Sequence, residues 1–131
     1  MNVKKIILAT VCLAVLLFAM DFLIHGHLLM EQYKATATLW RPMEEMNPAT
    51  MGLTTLIFAL IYVFFFSSMV NPKNIAQGLK FGFWFGLAGG FSLFCVSTYM
   101  PIPMTIACAW FAAALIESVV GGALVGFIMK D

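Results

Sequence analysis

The sequence predicts an all-α protein, an integral membrane four-helix transmembrane bundle with both termini in the cytoplasm. Three observations predict it. The 131-residue chain is 63% hydrophobic and only 10% charged, which is more apolar surface than a soluble core of this size can hide. Four apolar stretches each approach the ~20 residues that a helix needs to cross a hydrocarbon core of ~30 Å. The breaks between them are short, polar or proline-containing. One transmembrane domain accounts for the whole of residues 1–131.

The first span is expected over residues 5–27. "MNVKKIILATVCLAVLLFAM" opens like a secretory signal, but its apolar run is longer than a signal core and no small-x-small cleavage site precedes a polar mature sequence. Cys12 lies too early for a lipoprotein site. The segment therefore reads as an uncleaved helix. An outer loop, residues 28–49, follows and contains "RPMEEMNP". The second span covers residues 50–70 ("TMGLTTLIFALIYVFFFSSMV"), and "NPKN" turns the chain into a third at 80–99 ("KFGFWFGLAGGFSLFCVSTY"). "MPIPM" leads to the last, 104–129.

Orientation follows from the cations. Lys4, Lys5, Lys73, Lys80 and Lys130 fall on one side of this topology, against Lys34 and Arg41 on the other, so the first side is cytoplasmic. Trp40, in "TLWRP", suits the headgroup level of the outer face.

Composition also excludes function classes. A net charge of +1 offers no basic stripe for nucleic acid. Cys12, Cys95 and Cys108 lie within apolar runs and read as small hydrophobes rather than a disulfide frame. Both histidines are on the first helix, so haem ligation from two facing helices is not available. No mid-bilayer lysine could form a Schiff base, and no P-loop, zinc-type cysteine pairing or nucleophile triad is present. The expectation is a non-enzymatic protein without a cofactor, with the lipid bilayer as its first partner.

Small residues mark the closest helix contacts. Gly78, Gly82, Gly86 and Gly90 recur every four residues around the third span, and Ala114, Ser118, Gly122 and Gly126 do so in the fourth. Such spacing lets backbones approach where lipid provides no hydrophobic push. The contact could join the two helices of one chain, or serve a homo-oligomer or a larger membrane complex.

Two formal charges lie within the spans, Asp21 and Glu117, with no lysine or arginine at their depth. A carboxylate at the bilayer centre costs roughly 2.5 to 3.5 kcal/mol on insertion scales, so both should face the bundle interior. Thr10, Ala14, Asp21, His25 and Gln32 share a helical stripe about 60° wide. His27, Glu31 and Lys34 form another, with His27 and Glu31 expected as a solvated pair. Counting ~1.5 Å per residue brings Thr54, Thr55, Ser92 and Cys95 to a depth similar to that of the two acids, as a shared polar layer requires.

Glu117, Asp21 and His25 are thus the candidate ion or proton site, with Glu117 central, Asp21 its counter-carboxyl and His25 the link to outer water. The alternative is that both acids only hydrogen-bond between helices and fix their packing. Glu117→Gln separates the two, because glutamine hydrogen-bonds but cannot ionise. A further metal reading groups His25, His27, Met43, Met46, Met100 and Met104 at the outer face, where thioether and imidazole donors suit monovalent copper.

The pattern "DFLIHGHLL…Y…LWRPMEEM", the glycine-stepped third helix and the closing "IESVVGGALVGFIMK" resemble small four-span bacterial membrane proteins of the domain-of-unknown-function kind. The resemblance implies the fold and a multi-pass place in the bacterial inner membrane, and brings no ligand or catalytic residue with it. Together these readings favour an accessory or packing subunit, with a small proton- or ion-coupled transporter as the alternative and copper handling as the second.

Overall fold

The computed structural model describes residues 2–131 and contains, among them, no strand. Four helices are long and apolar enough to cross a membrane. The first, α1, is regular over Val3–Leu23 and continues as a π-helical turn, Ile24–Leu28. A short helix, α2 (Met30–Ala35), and two 3-10 turns fill the following loop. Then come α3 (Pro48–Met69), α4 (Ile75–Cys95) and α5 (Met104–Met129). The arrangement is that of a four-span all-α bundle. We call the end with both termini and the α3–α4 turn the terminal end, and the opposite end the loop end.

Local chemistry sets the helix starts. Asn2, Asn47 and Asn74 each turn a side-chain oxygen onto orphan amides of the first turn, bonding Lys5, Ala49 with Thr50, and Gln77 respectively. Pro48 occupies the first turn of α3, where no amide hydrogen is needed. Cap and proline move the start of α3 two residues ahead of the expected boundary. For α4 the shift is larger: it begins five residues before the expected span, at Ile75, and Lys80 therefore lies inside the helix. Its long stem lets an ammonium at that depth reach the membrane edge.

The helices pack by two different rules. Between α4 and α5 the glycines remove all bulk: Gly78, Gly82, Gly86 and Gly90 are buried, with the backbone at Gly122, Ser118, Leu115 and Phe111 lying against them in turn. Gly126 faces the Asn74 carbonyl in the same seam. Between α3 and α4 the contact is made by rings instead. Tyr62 meets Phe81 and Phe85 at centroid distances of 5.1 and 4.9 Å, and Phe66 meets Phe81 at 5.6 Å, which holds those two backbones apart.

α1 completes the bundle. Ile6, Ala9, Leu13 and Leu17, spaced by three or four residues, pack with Ala59, Tyr62, Val63 and Phe66 of α3 and with Val125 and Met129 of α5. Tyr62 donates from its buried hydroxyl to the Ser118 carbonyl at 2.7 Å, linking α3 to α5. The outward faces carry residues such as Phe22 and Phe91, 61% and 58% exposed, a surface suited to lipid rather than water.

The terminal end is tied by polar contacts. Lys5 donates from Nζ to the Lys130 carbonyl at 2.6 Å, and the Lys73 amide donates to Asp131 Oδ2 at 2.8 Å. With Leu13 against Gly121, the Lys5 contact fixes an antiparallel register between α1 and α5. That register sets Asp21 level with about residue 114, given a constant rise along both helices.

Candidate functional site

The two acids of the spans meet. Side chains on a helix lean toward its N-terminus, so Asp21 on α1 leans toward the terminal end and Glu117 on antiparallel α5 leans toward the loop end. From the α1–α5 register, Glu117 starts about one turn nearer the terminal end, and the two leans bring the carboxyls together. Both border the same cavity, and a carboxyl–carboxyl hydrogen bond between them exists only when the pair holds a proton. Glu117 Oε1 is buried and, among the described residues, has no hydrogen-bond partner.

Around the pair lies a cavity of about 210 Å³, lined by Asp21 and His25 of α1, Leu93 of α4, and Trp110, Ala113, Ala114 and Glu117 of α5. On α5 these fall at i, i+3, i+4 and i+7, a single helix face. The two alanines make the space that the acid and the indole border. No lysine or arginine lines it.

A directed hydrogen-bond chain leads from this cavity to the loop end. Trp110 donates from Nε1 to the Tyr33 hydroxyl at 2.7 Å; an indole can only donate. The Tyr33 oxygen is therefore the acceptor there, and its own proton goes to His25 Nδ1, 2.6 Å away. With Nδ1 accepting, a neutral His25 carries its hydrogen on Nε2, which faces Asp21 Oδ1 at 3.6 Å. That last distance is too long for a hydrogen bond and becomes an ion pair only when His25 is protonated. Burial pushes the Tyr33 phenol above its usual range, the Trp110 bond opposes this, and the Asp21 charge adds to it.

The π-helical turn explains why Tyr33 occupies this place. Regular α-helical counting puts Gln32 on the stripe of Asp21 and His25, but Gln32 is exposed. The Leu29 amide bonds the Ile24 carbonyl across five residues, so the turn absorbs one extra residue and hands the position to the next in line. Trp40 closes the cluster, donating to Thr36 Oγ1 at 2.8 Å and packing edgewise on Tyr33 and Trp110.

Other expected members stand elsewhere. Thr54 and Thr55 turn their hydroxyls back to the Met51 carbonyl, a local bond that satisfies them without any neighbouring helix. Ser92 is exposed and Cys95 half-buried, so the polar layer is made by α1 and α5 with the loop-end aromatics. His27 lies edge-on to Phe22 at 5.0 Å, and Glu31 pairs with Lys34 at 3.0 Å rather than with His27. The two histidines thus serve different neighbours. Met43, Met46 and Met104 are exposed and Met100 half-buried. Among the described residues no three His, Cys, Asp or Glu side chains gather as a metal site.

Tyr33 and Trp110 are the two site residues that side-chain charge alone does not point to. The second has a signal in the sequence, its i−7 spacing from Glu117. No family model, curated protein or solved structure matches the chain.

Proposed function

We propose that the protein is a non-enzymatic, multi-pass protein of the bacterial inner membrane that takes up and releases a proton at the Asp21–Glu117 pair, as the coupling site of a small transporter. The observation that carries this reading is the placing of two carboxyls from different helices in the wall of one cavity whose described lining holds no lysine or arginine. Two like charges in that setting repel strongly, whereas a pair sharing one proton does not. Tyr33 and His25 supply the route between the pair and the loop end, and the lysine bias makes that end the outer one.

A second reading, an accessory or packing subunit, draws on the same contact as a fixed tie between α1 and α5. Carboxyl-stretch infrared spectroscopy of the protein in nanodiscs distinguishes them, with Glu117→Gln as the reference. Proton exchange requires a carboxyl band that grows and fades with pH and is missing from the variant. A band that ignores pH while the protein stays folded would refute the transporter reading and leave the packing one.

A further inference from the structure

A second cavity, of about 420 Å³, lies at the terminal end between α3 and α4 and is lined by Val70, Gln77, Lys80, Phe81, Trp84 and Phe85. We propose that it binds the headgroup and upper acyl chain of one anionic phospholipid. The inference is independent of the proton site.

The cavity follows from how α4 is built. Its glycine face, Gly78 to Gly90, is consumed by α5. Gln77, Lys80, Phe81, Trp84 and Phe85 recur at i, i+3, i+4, i+7 and i+8 and form another face, turned to α3. There the rings of Tyr62, Phe66, Phe81 and Phe85 space the helices, and a trough opens beside them. Its volume falls in the range of small-ligand sites, roughly 300 to 1,000 Å³.

Its lining is amphipathic in the order a lipid requires. Lys80 and Gln77 lie within the first two turns of α4, nearest the membrane edge, and Phe81, Trp84 and Phe85 lie deeper. Among the described residues Lys80 joins no ion pair, and neither the Gln77 amide nor the Trp84 indole has a side-chain hydrogen-bond partner. Trp84 is nevertheless 59% exposed, as large a share as that of a lipid-facing phenylalanine.

Charge selects the occupant. The terminal end carries Lys4, Lys5, Lys73, Lys80 and Lys130 against Asp131 alone, and the Asp131 carboxylate is already engaged by the Lys73 amide. A basic pocket between helices at the cytoplasmic side is the setting in which acidic lipid headgroups bind. A zwitterionic headgroup would bring a trimethylammonium toward Lys80 and lose that selection.

The test is native mass spectrometry of the full chain titrated with phosphatidylglycerol or phosphatidylcholine of identical acyl chains. One phosphatidylglycerol should be retained in preference to phosphatidylcholine. Lys80→Gln should weaken that retention about fivefold or more, the scale of one basic residue at an anionic surface. Lys80→Arg should restore it, and Lys4→Gln, which removes an exposed lysine outside the trough, should leave it unchanged. Lys80 is exposed, so its replacement leaves the packing intact. Equal retention of both lipids, an unchanged Lys80→Gln, or an equal loss in Lys4→Gln would overturn the proposal. Complete competition by inorganic phosphate would overturn it as well, making the site one for the free anion.

Discussion

Replacing Gly82 by alanine should cost about 1 to 3 kcal/mol of stability, the usual range for a methyl forced into a filled space. A Cβ added at Gly82 would fall on the Ser118 carbonyl group, 2.8 Å from its carbon, and 2.9 Å from the Val119 Cα. Carbon atoms rest at about 3.5 to 4.0 Å, so α5 must retreat by at least roughly 0.7 Å. The obstacle is backbone, and no rotamer change can relieve it. A gap of that size forfeits about a quarter or more of each dispersion contact along the seam. Gly89 is the internal control: it lies on the same helix, and a Cβ there meets nothing within 4 Å. Denaturant-induced unfolding in mixed micelles, followed by helical circular dichroism, reads the difference. Gly82→Ala should unfold well before Gly89→Ala, and Gly78→Ala combined with Gly82→Ala should cost less than the sum, because one retreat relieves both clashes. Equal stability of Gly82→Ala and Gly89→Ala would refute the close-contact argument.

Tyr62→Phe removes the hydrogen bond to the Ser118 carbonyl while keeping the ring contacts, so the same unfolding measurement should show a loss of about 0.5 to 1.5 kcal/mol; a loss above about 3 kcal/mol would mean that more than this bond had gone. The Tyr33 phenol titrates above its ordinary value of 10.0 in the folded protein, so the folded state holds that proton more firmly than the unfolded one. Its contribution is fully present below about pH 10 and is lost as pH rises through the folded value. Tyr33→Phe should therefore flatten the alkaline decline in stability, and an unchanged decline would exclude Tyr33 as its source. Nitrogen-15 spectra should show neutral His25 with its hydrogen on Nε2, and Trp110→Phe should raise the share of the Nδ1–H form. A dominant Nδ1–H form in the unmutated protein would contradict the hydrogen-bond direction set by Trp110.

The parts of this architecture that one-dimensional spacing encodes were legible, and those that depend on azimuth were not. Helix length and the four-residue glycine step each act within one helix, so α3, α5 and most of α4 follow from the sequence, whereas the Asn caps emerge only with the structure. The start of α4 escaped because Lys80 looks like the edge of a span, when its stem allows it to lie inside. Asp21 and Glu117 stood out because carboxylates are rare at that depth. Depth alone also nominated Thr54, Thr55 and Ser92, yet depth does not say which way a residue faces. Tyr33 was hidden for a related reason: one residue absorbed by the π-helical turn rotates everything after it, and regular counting then selects Gln32.

The glycine seam and the acid pair are not separate features of α5. Glu117 is flanked by Ser118, whose Cβ would lie 2.7 Å from a methyl on Gly86, and Leu115, whose Cα would lie 2.9 Å from it. The close approach of α4 therefore fixes the stretch of α5 that carries the acid, and it does so without any side chain that could yield. On a neighbouring face of α5, α1 holds Asp21 through the register set by Lys5 with Lys130 and Leu13 with Gly121. The carboxyls meet because two rigid seams locate them, one between α4 and α5 and one between α1 and α5. Gly86→Ala should for that reason disturb the pair as well as the packing, changing the Glu117 carboxyl band although it alters no residue lining the cavity. A band left in place by Gly86→Ala would show that the acids find each other without help from the glycine seam.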